Sequence, residues 1–190
     1  MVELVDLWMP ILLSAVICFV ASSIIWMASP LHKHDYKNPG DKEGPLLEFL
    51  RSGSFAPGVY YVPWCHGMAN DAAMADKMKR GPWAMLTVMP SGPNMGKMLS
   101  LWFVHLVIVG VFVAYIASHA GLPRGVEYLE VFRITGTAAL LAYAGYALPM
   151  CIWHGMPWSQ LPGRILDGVI YALLTAGTFG WLWPKGAVAI

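Results

Sequence analysis

Four stretches of this sequence are long enough to cross a lipid bilayer, and each carries at most one charged residue. They cover about residues 7–29, 98–118, 132–153 and 165–184. A bilayer core about 30 Å thick is crossed by roughly twenty residues of α-helix. The chain is 57% hydrophobic and 12% charged, whereas soluble domains carry roughly a quarter charged residues. The sequence therefore predicts an all-α integral membrane protein with four transmembrane helices in an antiparallel bundle.

The first stretch is expected to stay in the mature protein. A cleaved signal peptide has a basic segment before a short apolar core. This chain instead begins with Glu3 and Asp6 and continues into a longer uncharged run. We therefore predict a retained helix at the start of the sequence.

The positions of Lys and Arg predict the orientation of the bundle. Eight of the twelve lie between the first two stretches, and Arg164 lies between the last two. Lys and Arg are enriched in loops on the cytoplasmic side. We expect a bacterial inner (plasma) membrane protein with its first loop in the cytoplasm and both termini on the other side.

The first loop, residues 30–97, is expected to form a small water-facing α+β cap within a single membrane domain of residues 1–190. Asn70 is a suitable N-cap for a helix that Gly81 and Pro82 would end. The loop contains two helix patterns and two strand-like runs, at residues 45–53, 71–80, 59–62 and 84–89.

A stripe of small residues on the fourth stretch repeats at intervals of four, and the third stretch offers two alanines at the same spacing. Such stripes let two membrane helices approach closely. The stripe therefore predicts either a helical hairpin within the subunit or contact with a partner protein. The residues are Gly168, Ala172, Ala176 and Gly180, with Ala138 and Ala142 on the third stretch.

Four metal-ligating residues lie in or next to the first loop. His32 and His34 follow the first stretch, and Cys65 and His66 lie further along. Imidazole and thiolate suit zinc or copper, and the methionines of the loop could add thioether ligands for copper. The spacing matches no common metal motif, so ordinary roles at the membrane interface are the alternative.

His105 is the one ionisable residue well inside a predicted span. Ionisable groups within a membrane are functional candidates, and a pair of histidines can hold haem. No second histidine stands at a matching depth, so a hydrogen bond to Tyr143 or Tyr146 is the alternative. Near the span ends, Asp167 and Arg164 are expected to form an ion pair, as are the residues Glu130 and Arg133.

The sequence contains no nucleophile elbow, phosphate loop, dinucleotide fingerprint or zinc-protease motif. We therefore expect a non-catalytic polytopic membrane protein that is a subunit or accessory component of a larger complex, with the bilayer and other membrane subunits as partners. The alternatives are a redox, metal or haem-carrying subunit and a small oligomeric transporter. No cofactor is predicted, and a net charge of +1 argues against a nucleic-acid partner.

Overall fold

The computed structural model describes residues 2–64 and 72–186. Of the described helical segments, three are long and apolar enough to cross a membrane, namely Leu4–Ala28, Met95–His119 and Tyr128–Trp153. They coincide with the first three predicted spans. A further long helix covers Leu161–Trp181, and its crossing of the membrane stays a prediction.

Most of the described elements are α-helices, and two short strands lie among them. They are α1 (Trp8–Ala28), α2 (Glu43–Ser52), β1 (Gly58–Val62), α3 (Ala72–Arg80), β2 (Ala84–Val88), α4 (Met95–His119), α5 (Tyr128–Ala144), α6 (Ala147–Trp153) and α7 (Leu161–Trp181).

The chain divides into two units. The helical unit comprises residues 1–35, 94–151 and 156–190, and the cap comprises residues 36–93 with 152–155. The cap therefore begins later and ends earlier than the loop 30–97, because residues 30–35 and 94–97 belong to the helical unit.

The core of the helical unit lies where α1, α4, α5 and α7 meet. Helix α1 packs against α4 and α7, and α5 packs against α4 and α7. Leu7, Val113, Val131 and Phe179 are almost fully buried there. One apolar face from each helix therefore forms a shared interior.

Glycines bring α5 and α7 unusually close together. A Cβ on Gly168 would lie 2.7 Å from the Cβ of Ala144 and 3.0 Å from its backbone nitrogen, and a Cβ on Gly136 would lie 3.2 Å from Ala176. Only glycine fits such an approach without moving a backbone.

The small residues named from the sequence lie at different depths. Ala172 and Ala176 are buried, Gly168 contacts α5, and Gly180 faces the ring of Tyr128. On α5, Ala138 is half-buried and Ala142 is exposed. The α5 side of this contact therefore runs through Gly136 and Ala144 rather than Ala142.

The third span is not one continuous helix. Helix α5 ends at Ala144 and α6 begins at Ala147. Proline has no N–H to bond the carbonyl four residues earlier, and its ring crowds that carbonyl. Pro149 therefore leaves the carbonyl of Gly145 without its helical partner, which accounts for the interruption.

The cap contains the helices and strands that the sequence predicts. Strands β1 and β2 pair antiparallel, from Gly58 opposite Val88 to Val62 opposite Ala84. Helix α2 ends at Ser52, next to Gly53, and α3 ends at Arg80 before Gly81. The proposed N-cap Asn70 lies outside the described residues.

Candidate functional site

The turn after α1 brings two ionisable side chains together. Ser29 ends α1, and its hydroxyl donates to the carbonyl of Ile25 at 2.7 Å. Pro30 cannot continue the helix, and the amide of Asp35 then bonds the carbonyl of His32 at 3.1 Å. This tight turn places the side chains of His32 and Asp35 side by side.

His32 lies between two carboxylates. Its Nδ1 is 2.8 Å from Asp35 Oδ2, and its Nε2 is 3.0 Å from Asp167 Oδ2. The side chains of all three residues are at most 10% exposed. Ionised carboxylates only accept hydrogen bonds, and both ring nitrogens donate only in the imidazolium. Each ring nitrogen of His32 therefore has one carboxyl group as its hydrogen-bond partner.

Arg164 and Trp26 complete the cluster. Arg164 Nη2 lies 3.3 Å from Asp35 Oδ2, and its guanidinium carbon is 4.6 Å from the centre of the Trp26 ring. The Trp26 ring also stacks on His32, with 3.9 Å between ring centres. Two carboxyl groups thus face an imidazole and a guanidinium beside an aromatic ring. We call His32, Asp35, Arg164 and Asp167 with Trp26 the charge cluster.

The charge cluster joins the chain after α1 to the first turns of α7. Gln160 adds a hydrogen bond of 2.6 Å from its side-chain amide to the carbonyl of Asp35. Buried charges are tolerated when they are paired and hydrogen-bonded. Each carboxylate and each His32 nitrogen is paired inside the cluster. The charge cluster therefore holds the turn after α1 against the start of α7.

The ion pairs differ from those that the sequence predicts. Asp167 was expected to pair with Arg164, but it pairs with His32, while Arg164 pairs with Asp35. The described ion pairs also do not include the expected one between Glu130 and Arg133. Asp167 faces the interior of the helical unit, where its partner is His32 in the turn after α1.

Asp35 and Trp26 are the members that sequence reasoning missed. A signal for Asp35 is its spacing from His32, since residues three apart in a tight turn can meet. Trp26 carries no such signal, because its contact with Arg164 joins distant parts of the chain.

The candidate metal ligands are not brought together in the described part of the chain. His32 is buried in the charge cluster, and His34 is exposed. Across residues 2–64 and 72–186, no group of three or more His, Cys, Asp or Glu is placed to hold a metal ion. Cys65 and His66 lie outside the described residues.

His105 points away from the core. It is exposed and stacks on Trp102 of the same helix, with 5.3 Å between ring centres. Side chains three residues apart share a helix face, which explains this pairing. The hydrogen bond to Tyr143 or Tyr146 expected from the sequence is not found among the described contacts.

No known protein family, curated protein or solved structure matches this chain.

Other polar contacts inside the helical unit also join helices. Trp102 Nε1 on α4 donates to the hydroxyl of Ser22 on α1 at 2.9 Å. The Cys18 thiol on α1 lies 3.5 Å from the hydroxyl of Thr175 on α7. Hydrogen bonds between membrane helices contribute modestly to stability, so these contacts belong to helix packing.

Proposed function

We propose that this chain is a non-catalytic subunit of a larger membrane protein complex, which binds a partner protein through the exposed apolar face of α2. In this proposal α1, α4, α5 with α6, and α7 all cross the membrane. The excess of Lys and Arg in residues 30–97 favours a cytoplasmic cap, with both termini on the opposite side.

The apolar face of α2 is the observation that carries this proposal. At 100° per residue, four apolar side chains fall on one side of this helix, opposite Glu48. Three of them are 43–60% exposed, and no residue of α2 is buried. The four are Leu46, Leu47, Phe49 and Leu50.

The cap covers only part of this face, where the ring of Phe49 lies 5.7 Å from that of Phe55 between ring centres. None of the cap residues that the structure describes is buried, although water-facing helices normally bury their apolar side. An amphipathic helix with a free apolar face commonly docks into the groove of a partner. The face on α2 therefore favours binding to another chain.

The charges on α2 favour a protein over a lipid surface. Helices that lie on membranes are rich in Lys and Arg on their polar side. Helix α2 carries Glu43 and Glu48 against a single cation, Arg51. An anionic bilayer surface would repel this helix, whereas a partner protein can complement it.

The charge cluster supports a structural role for the helical unit. Asp35 is the last residue of that unit before the cap. Its carboxylate is held by His32 and Arg164, so this end of the helical unit is held against α7. These contacts join parts of the helical unit to one another, which is a structural role.

Native mass determination in mild detergent tests the proposal. The tagged full chain, purified from its native membrane, should carry at least one other protein. The mass of the purified complex should then not be a whole multiple of the mass of the tagged chain, which is 20.9 kDa plus the tag. Leu46→Glu should release the partner, because it places a charge in the apolar face. Ser52→Glu adds the same charge near the polar side and should retain it.

Two results would overturn the proposal. The first is a purified complex whose mass is always a whole multiple of the mass of this chain alone. The second is equal loss of the partner in the two variants. A stoichiometric metal or a visible chromophore in the same sample would instead support the redox or metal-carrying class.

A further inference from the structure

The cap contains a second surface, formed by the end of β1 and one side of α3. An open groove of about 520 Å³ lies there, within the size range of small-ligand sites. Its walls are mainly apolar, and two cations stand among them. The lining includes Val62, Trp64, Met74, Lys77 and Arg80.

The charge around this groove is opposite to that of α2. Lys77, Lys79 and Arg80 all lie in the last turn of α3. Asp76 is the only acid in this helix, and it pairs with Arg80 at 2.8 Å. The groove therefore combines apolar walls with an excess of positive charge.

A tryptophan next to the groove is exposed and held in place. Trp83 follows the lining residue Pro82 and is 64% exposed. Its Nε1 donates to the carbonyl of Met78 at 2.7 Å, which fixes the ring. Exposed tryptophans are typical of the headgroup level of a bilayer.

The chain between the cap and the next long apolar helix is short. β2 ends at Val88, and α4, which is long enough to span a bilayer, begins at Met95. Only residues 89–94 lie between them. A candidate span therefore follows the cap closely along the sequence.

We propose that this groove binds an anionic phospholipid of the adjacent bilayer. Lys77 and Arg80 contact the phosphate, and the apolar walls contact the glycerol and upper acyl region. Basic residues near an anionic surface each strengthen attachment by about fivefold. The proposal concerns a different surface from α2 and does not depend on a partner protein.

Hydrogen exchange of the full chain in nanodiscs tests lipid binding. One set of nanodiscs contains phosphatidylcholine alone, and the other an equal mixture with phosphatidylglycerol. We expect slower exchange of the amides from Ala72 to Trp83 in the anionic discs, by about fivefold or more. The amides of α2 serve as an internal reference and should exchange equally in both.

Lys77→Gln and Lys79→Gln form a matched pair for this experiment. Both remove one positive charge from the same turn, but only Lys77 lines the groove. Lys77→Gln should reduce the lipid-dependent protection more than Lys79→Gln does, because each variant loses up to about fivefold from one charge near the anionic surface and only Lys77→Gln also loses a contact with the phosphate in the groove. Trp64→Ala should also weaken protection, because it removes an apolar wall.

Equal exchange in the two kinds of nanodisc would overturn the proposal. Equal losses for Lys77→Gln and Lys79→Gln would also overturn it, because they would show general attraction to charge rather than binding in the groove. Both results leave the docking of a partner on α2 untouched, since that is measured by native mass.

Discussion

Gly168→Ala places one added methyl group against the backbone of a neighbouring helix. The new Cβ would lie 2.7 Å from the Cβ of Ala144, and 3.0 Å from both its Cα and its backbone nitrogen. Separations below 3.0 Å are not tolerated between carbon atoms, so one helix must move. Because backbone atoms of α5 are in the way, a side-chain rotation cannot relieve the contact.

The expected change follows from two opposing effects. Replacing glycine by alanine inside a helix gains up to about 1 kcal/mol through helix propensity. Overpacking of a closely packed interior costs about 1–3 kcal/mol. Gly168→Ala should therefore lower the free energy of unfolding by up to about 2 kcal/mol.

Gly177→Ala is the matched control on the same helix. A Cβ at Gly177 would lie 3.5 Å from the hydroxyl of Tyr128, which is an ordinary contact. This variant should be unchanged or more stable by up to about 1 kcal/mol. The added methyl group meets the backbone of Ala144 in one variant and the hydroxyl of Tyr128 in the other. The difference between their free energies of unfolding therefore measures the cost of the close approach of α5 and α7.

Denaturant titration in detergent micelles, followed by helical circular dichroism, provides the comparison. The midpoint of Gly168→Ala should fall below that of the wild type, and the midpoint of Gly177→Ala should not. If Gly168→Ala is as stable as Gly177→Ala, the two helices do not approach as the structure shows.

Three further predictions concern the charge cluster, His105 and the orientation. Asp167→Leu should destabilise the protein by about 1–3 kcal/mol in denaturant titration, because it leaves Nε2 of the buried His32 without its partner while Asp35 still pairs with Nδ1; an unchanged midpoint would contradict the pairing. His105→Gln should shift stability by less than about 0.5 kcal/mol in the same assay, since His105 is exposed; a large loss, or loss of a chromophore, would indicate a ligand role. An impermeant thiol reagent should label Lys185→Cys but not Lys42→Cys from outside the cell, and the reverse pattern would invert the orientation.

The helices were predictable because long apolar runs and local stop signals are properties of neighbouring residues. The uncharged run that became α1 and the Gly81-Pro82 stop after α3 are examples. The strands β1 and β2 were found in the same way. The break after Ala144 was less visible, although Pro149 was a signal for it.

The pairings of His32 and Asp35 with α7 were not predictable, because they join residues far apart in sequence. Asp167 and Arg164 share one helix three residues apart, so a local rule pairs them with each other. The fold instead turns Asp167 toward His32, across 135 residues. Which face of a helix is buried depends on its neighbours, and spacing alone does not specify those neighbours.

Site-specific photo-crosslinking from α2 in the native membrane tests the proposed docking most directly. Phe49 is 60% exposed on the apolar face, and the exposed side chain of Arg51 lies on the opposite side of the helix. A photoreactive phenylalanine at position 49 should form an adduct with a different protein, and the same group at position 51 should not. No protein adduct from position 49, or equal adducts from both positions, would contradict a partner bound to the apolar face of α2.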